Sequence, residues 1–190
     1  LRDPMRIYKG DGKGGFKDVS VALGVDFSPQ PMGANFGDLD NDGYLDFYLA
    51  TGYPGFDGLV PNVMLHNVAG QRFDDVTFAG GFGHLQKGHG VGFADFDDDG
   101  DQDVFAQMGG AFEADGFGDV LFENPGFGNH WLRLTLVGQE SNRSAIGARL
   151  CAHLTEGEAA RAVWRDVNSG GSFGSNSLTQ HLGIGKATQV

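Results

Sequence analysis

The sequence predicts an all-β protein built from repeated units of short strands, and three observations support this prediction. Glycine accounts for 33 of the 190 residues, and each glycine inside a helix costs about 1 kcal/mol relative to alanine. Short apolar runs bounded by glycine and aspartate are typical of strands, and no segment shows a sustained helical period. An internal repeat with one fixed period indicates a solenoid, a propeller or an array.

The repeat is clearest in two acidic segments, DLDNDGYLD at residues 38–46 and DFDDDGDQD at residues 95–103, which start 57 residues apart. The same offset relates IYKGDGKGGFKDV at residues 7–19 to MLHNVAGQRFDDV at residues 64–76. Chance similarity would not be expected to give several matches at one offset without gaps. They indicate that one structural unit occurs more than once.

Each unit contains about four short apolar runs, which favours the blades of a β-propeller. The first repeat covers about residues 7–63 and the second about residues 64–120. A third begins at LFEN, from residue 121. These units together form a predicted propeller segment over residues 1–127.

A second module, over residues 128–190, has a different pattern. The period stops after Pro125, and strand-like apolar runs follow at residues 130–138, 146–155, 160–167 and 179–185. Loops rich in turn-forming residues separate these runs. The sequence therefore predicts a small β-rich module after the repeats.

The acidic segments have the spacing of calcium loops, because calcium takes six to eight oxygen ligands and alternate residues of a tight turn point inward. Glycine at the sixth position allows the bend, the seventh residue offers its carbonyl, and the ninth closes the shell. Two calcium sites are expected, and their predicted ligands are Asp38, Asp40, Asp42, Tyr44, Asp46, Asp95, Asp97, Asp99, Asp101 and Asp103.

Three other interpretations fit these loops less well than a calcium site does: a solvated acidic turn, an EF-hand and a magnesium site. A solvated acidic turn does not account for two matched copies in one register. An EF-hand needs glutamate at the twelfth position, which is Leu49 in the first loop and Ala106 in the second. Magnesium is disfavoured because it keeps several waters and is seldom held by an all-protein cage.

The composition restricts the partners. The net charge of −12 disfavours nucleic acid, which requires a basic face. The sequence contains no run of about 18 apolar residues, the length that a membrane-spanning helix requires. Cys151 is the single cysteine, so the chain cannot form an internal disulfide.

The acidic loops, each preceded by a strand that ends in phenylalanine, resemble the calcium loops of FG-GAP/VCBS repeats. The segments GNHWLRLTLVG, SNRSAIGARL, VNSGGSFGSNS and HLGIG resemble the ASPIC/UnbV module of the cartilage acidic protein family and its bacterial relatives. The resemblance implies a secreted, calcium-bound β-propeller without catalytic activity. Such propellers usually close with about seven blades, and the ASPIC/UnbV pattern stops before its last expected strand. We therefore expect a longer polypeptide, or partner chains that cover the open edges.

Two candidate catalytic or zinc sites are weaker than the calcium loops. GGSFG, at residues 170–174, matches the nucleophile elbow around Ser172, but that motif requires a strand-to-helix turn, and no acidic residue separates Ser172 from His181. His84 and His89 flank LQKG without further zinc ligands nearby. We expect a turn in the first case and loop packing in the second.

Three further features have either a structural or a functional role. Glu113, Asp115 and Asp119 form either a solvated loop or a third cation site. Asn142 begins a glycosylation sequon, which matters in a eukaryotic secretory pathway. Trp131 and Trp164 are predicted to be core residues, although either could stack on a sugar.

The predicted function is a non-enzymatic, calcium-binding propeller segment that serves adhesion, assembly or protein interaction, with calcium in a structural role. Its expected location is extracellular, or else periplasmic or at the cell surface. The alternatives are a glycan-binding module and a non-catalytic part of a polysaccharide-degrading enzyme. Expected partners are calcium and a protein, a glycan or further parts of the same chain.

Overall fold

The computed structural model describes residues 3–53, 55, 59–110, 112–173 and 175–190. Over these residues the chain forms strands, turns and one short 3-10 helix, Glu113–Asp115, and no α-helix. The strands are β1 (Tyr8–Gly10), β2 (Phe16–Asp18), β3 (Pro31–Gly37), β4 (Asp46–Thr51), β5 (Val63–Val68), β6 (Arg72–Asp75), β7 (Gly88–Ala94), β8 (Asp103–Met108), β9 (Val120–Phe122), β10 (His130–Leu134), β11 (Arg149–Glu156), β12 (Ala159–Asp166) and β13 (Gln180–Gly185). The predicted all-β fold is confirmed.

The 57-residue period is present in the strands. β3 begins at Pro31 and β7 at Gly88, while β4 begins at Asp46 and β8 at Asp103. β5 and β9 also begin 57 residues apart, at Val63 and Val120. The sequence repeat is therefore a repeat of structure.

The sheets do not coincide with the sequence repeats. One antiparallel sheet has the order β3-β4-β5-β6, so it joins two strands of the first repeat to two strands of the second. The next sheet has the order β7-β8-β9, and β1 pairs with β2 in a separate hairpin. Each acidic segment connects the first two strands of a sheet, which places both loops at equivalent corners.

β3 and β7 lie side by side, and glycine permits their close approach. A Cβ atom at Gly33 would overlap the carbonyl oxygen of His89. A Cβ atom at Gly37 would overlap the ring of Phe93. Any larger side chain at these positions would push the two sheets apart.

The first sheet is buried on both faces. Tyr48 and Met64 pack with Val91 and Val104 in a cluster between the two sheets. Phe47, Leu49 and Leu65 belong to a second cluster, which includes Val25, on the opposite face. β4 is therefore buried at every residue, which explains its nearly continuous apolar sequence.

The C-terminal strands form two antiparallel pairs, β10 with β13 and β11 with β12. Leu154, Val163, Leu182 and Ile184 form their shared core. This module lies against the acidic loops, and its contacts with them define the candidate site.

Candidate metal centres

The first acidic loop joins β3 to β4 and is held in a tight turn by its own carboxylates. The backbone N–H of Gly43 donates to Asp38, 3.0 Å from Oδ2. The N–H of Tyr44 donates to Asp42 Oδ1 at 2.8 Å. Gly43 has φ = 96°, a conformation that favours glycine. Ligand oxygens of Asp38, Asp40 and Asp42 lie within 4.8 Å of one another.

The second loop, between β7 and β8, repeats this arrangement. The N–H of Gly100 donates to Asp95 Oδ2 at 3.1 Å, and the N–H of Asp101 donates to Asp99 Oδ1 at 2.9 Å. Gly100 also has φ = 96°. Ligand oxygens of Asp95, Asp97 and Asp99 again lie within 4.8 Å of one another.

The aspartates at the ninth position have a different environment. Asp46 accepts the N–H groups of Leu39 and Asn67, both at 2.7 Å and on different oxygens. Asp103 accepts those of Phe96 at 2.9 Å and Asn124 at 2.8 Å in the same way. Asp46 therefore connects its loop to β5, and Asp103 connects its loop to the residues just after β9. Both carboxylates lie outside the two groups of converging oxygens.

The residues at the seventh position differ between the loops. The ring of Tyr44 lies under the guanidinium of Arg161, at 5.7 Å. The carboxylate of Asp101 accepts a hydrogen bond from Asn41 Nδ2 at 2.7 Å, which joins the second loop to the first. As metal ligands, Tyr44, Asp46, Asp101 and Asp103 remain predictions.

Burial and crowding perturb the acids of the first loop. Burial raises the pKa of Asp38 to about 6, although Arg165 opposes the shift. Burial also raises the pKa of Asp42. At Asp40 the hydrogen bond and charge of His66 outweigh burial and lower the pKa. The same hydrogen bond, 3.1 Å long, raises the pKa of His66 to about 9.

The second loop leaves one buried acceptor without a partner. Asp95 Oδ1 is buried and accepts no hydrogen bond from any residue that the structure describes. Burial also raises the pKa of this carboxyl. A buried polar atom without a partner costs free energy, and a bound cation would satisfy it. The donor set, which consists only of carboxylate oxygens, suits a hard cation such as calcium.

The C-terminal module contacts the first aspartate of each loop through an arginine. Arg165 donates to Asp38 Oδ2 at 2.9 Å, where the N–H of Gly183 also donates at 3.1 Å. Arg133 lies 3.3 Å from Asp95 Oδ2. Arg165 is largely buried, whereas the side chain of Arg133 is partly exposed. Nothing in the sequence pattern singled out these arginines or His66, because their roles depend on contacts between distant segments.

The indole of Trp131 packs over the second loop. A Cβ atom at Gly100 would overlap its Nε1. The ring also stacks on His181, with centroids 5.8 Å apart. Trp131 is partly buried here, whereas Trp164 is 57% exposed. The prediction that Trp164 is a core residue is wrong, because Trp164 lies on the exposed face of β12, whereas the neighbouring Val163 is buried on the other face.

The other candidate residues have structural partners. The backbone of Ser172 pairs with that of Ala34 in both directions. His181 Nε2 contacts Asn41 Oδ1, and burial lowers the His181 pKa to about 4. Asn142 is exposed and hydrogen-bonds to both N and O of Ile146.

His84 and His89, the two histidines considered as zinc ligands, also form hydrogen bonds within the protein. His84 Nδ1 accepts the N–H of Gln86 at 3.1 Å. His89 Nε2 lies 2.7 Å from the carbonyl oxygen of Gly109. These contacts agree with the loop packing expected for both residues.

The three acids of residues 113–119 do not form a common group of ligands among the residues that the structure describes. Asp115 forms a buried ion pair with Lys87. Asp119 accepts the backbone N–H of Met108 at 3.1 Å. Glu113 is exposed in the short 3-10 helix.

Comparison with known protein families gives two matches. Residues 2–49 match the FG-GAP-like repeat, and residues 138–190 match the ASPIC and UnbV domain. No curated protein sequence matches the chain. Within the described ranges, no helix has the length and apolar character needed to cross a membrane.

Proposed function

We propose that this chain, which carries an FG-GAP-like repeat and an ASPIC and UnbV domain, is a non-catalytic, calcium-stabilised segment of an extracellular repeat protein. Its role would be to present a surface for adhesion, assembly or protein interaction. The observation that carries the proposal is the pair of equivalent loops, each of which brings three carboxylates within 4.8 Å of one another.

Calcium would be structural in this proposal. Its charge would offset the repulsion among the carboxylates, which increases as they approach one another. Extracellular calcium modules typically have Kd values of about 10⁻⁴–10⁻³ M. Calcium at about five times Kd would stabilise each site by about 1 kcal/mol, and at about a hundred times Kd by about 2.7 kcal/mol.

The two loops should bind calcium unequally. Asp38 Oδ2 already accepts from Arg165, Gly183 and Gly43, and the arginine brings a positive charge to the site. Asp95 has a buried oxygen with no hydrogen-bond partner in the described part of the chain, and its arginine is partly exposed. The second loop is therefore the stronger candidate for calcium.

Thermal unfolding in millimolar calcium, in excess chelator and in magnesium tests this function. We expect calcium to raise Tm above its value in chelator, and magnesium to have little effect. Equal shifts with both ions would contradict selective calcium sites, and no shift with calcium would contradict the structural role.

A matched pair of variants tests the ligand assignment in the second loop. Asp99→Asn removes a charge from the converging group, whereas Asp98→Asn removes one from the adjacent, 77% exposed position. Asparagine tolerates the positive φ of Asp98. We expect the calcium-induced rise in Tm to fall in Asp99→Asn and to persist in Asp98→Asn. Equal behaviour of the two variants would contradict the assignment.

A further inference from the structure

A cavity of about 920 Å³ lies between the repeat strands and the C-terminal module. Its walls include parts of β3, the end of β7, β10, the end of β12 and residues 168, 170–172, 176, 177 and 179–181. Ligand sites in proteins typically have volumes of about 300–1,000 Å³ and often lie between domains. The size and position of the cavity are therefore those of a ligand site.

Two large aromatic side chains in the wall are exposed. Trp164 is 57% exposed and Phe36 is 50% exposed. An exposed indole offers a broad apolar face beside a polar N–H group. Such a side chain can stack on a flat, partly apolar ligand while its edge forms hydrogen bonds.

The floor of the cavity is held rigidly. Asn35 Nδ2 donates to Asn176 Oδ1 at 2.8 Å, and Asn176 Nδ2 donates to Asn35 Oδ1 at 3.0 Å. This reciprocal pair joins β3 to the C-terminal module. A rigid floor lowers the entropic cost of binding.

Other polar groups of the wall remain available to a ligand. The hydroxyls of Thr135 and Thr179 lie 2.9 Å apart, and one of the two keeps a proton to donate. A ligand with several hydroxyl groups could satisfy these donors and acceptors together.

The charges of the wall are balanced. Arg133 and Arg165 are positive, and Asp95 and Asp166 are negative. An anionic or a cationic ligand would meet charges of its own sign as well as opposite ones. The balance favours an uncharged ligand.

We propose that this cavity binds a neutral saccharide, with one sugar ring stacked on Trp164 and hydroxyl groups bound by the hydroxyls of Thr135 and Thr179. The proposal extends beyond the calcium-stabilised scaffold, because the exposed ring of Trp164 and the hydroxyls of Thr135 and Thr179 belong to neither acidic loop. It assigns a ligand to the junction of the two modules.

The whole chain, in millimolar calcium, should be applied to an array of neutral oligosaccharides, uronate-containing oligosaccharides and peptides. We expect binding to neutral oligosaccharides. Binding only to uronates or only to peptides, or no binding by protein that shows a cooperative unfolding transition, would overturn the proposal.

Variants then locate the site. Titration calorimetry with the strongest neutral ligand should show that Trp164→Ala weakens binding at least about tenfold, the range of a dominant contact residue. Trp164→Phe should retain part of the affinity, and Phe78→Ala, which removes a 76% exposed aromatic outside the cavity, should retain all of it. Unchanged affinity in Trp164→Ala would overturn the proposed site.

Discussion

At the scale of single residues, the ion pair between Asp38 and Arg165 is the most constrained charge contact of the candidate site. Asp38 is fully buried, and the side chain of Arg165 is 9% exposed. Removing one partner of a buried ion pair leaves the other charge uncompensated and typically costs about 3–5 kcal/mol. An exposed pair contributes about 0–1 kcal/mol.

We therefore expect Arg165→Met to lower the free energy of unfolding by about 3–5 kcal/mol. Arg149→Met is the matched control, because Arg149 pairs with Asp166 at the surface, with side chains 67% and 58% exposed. Urea denaturation in chelator gives both values. Equal losses in the two variants would contradict the importance of burial, and adding Asp38→Asn to Arg165→Met should recover part of the loss.

At the scale of elements, the packing of β3 on β7 depends on the absence of side chains. The carbonyl oxygen of His89 belongs to the backbone of β7, so it cannot rotate away from a Cβ atom at Gly33. Relief would require one strand to move. This constraint explains why glycine is needed inside a strand, where it is otherwise unfavourable.

We expect Gly33→Ala to destabilise the protein by about 1–3 kcal/mol or more, the range of overpacked cores. Gly118→Ala is the control, because a Cβ atom there would meet nothing within 4 Å. Thermal and urea unfolding of both variants measure the difference. A Gly33→Ala protein as stable as the Gly118→Ala protein would show that β3 and β7 do not approach this closely.

At the scale of the whole molecule, the C-terminal module covers both acidic loops. The main-chain N–H of Gly185 donates to the carbonyl oxygen of Asn41 at 2.8 Å, beside the arginine contacts already described. This cover places carboxylates away from water, which explains why burial dominates their raised pKa values. Stability should therefore depend on pH and on calcium together.

In chelator, we expect the free energy of unfolding to fall as pH rises from about 4 to about 7. Burial raises the pKa of Asp38 to about 6 and that of Asp46 to about 7, so the folded state binds these protons more tightly than the unfolded state. The raised pKa of His66, about 9, acts in the same direction: its contribution is complete below about 6.5 and disappears as pH rises through about 9. The lowered pKa of His181, about 4, acts in the opposite direction between about pH 4 and pH 6.5. It offsets one of the two raised carboxyls, so the net trend is still a fall.

Calcium should reverse part of this dependence, because its ligands must be ionised. The stabilisation by calcium should increase between about pH 4 and pH 7 as the raised carboxyls lose their protons. Urea unfolding at several pH values, with and without calcium, measures both trends. The proposed coupling would be wrong if stability in chelator rose over this range, or if the effect of calcium did not change.

Local sequence patterns predicted most of the fold. The 57-residue period relates the strands as expected, and the two acidic segments end where β4 and β8 begin. The three converging aspartates of each loop also follow from local spacing, because alternate residues around a glycine turn point inward. These features depend on contacts over a few residues, which one segment contains by itself.

The sequence by itself determined the all-β class, the repeat and the two groups of aspartates. Only the tertiary structure decided that a sheet combines strands of two repeats, that Trp164 is exposed, and that Asp46 and Asp103 bind the backbone N–H groups of Asn67 and Asn124. It also placed Arg165 on Asp38, 127 positions away. The physical reason is that strand pairing and burial depend on where distant segments meet, and no local pattern of residue types encodes that meeting.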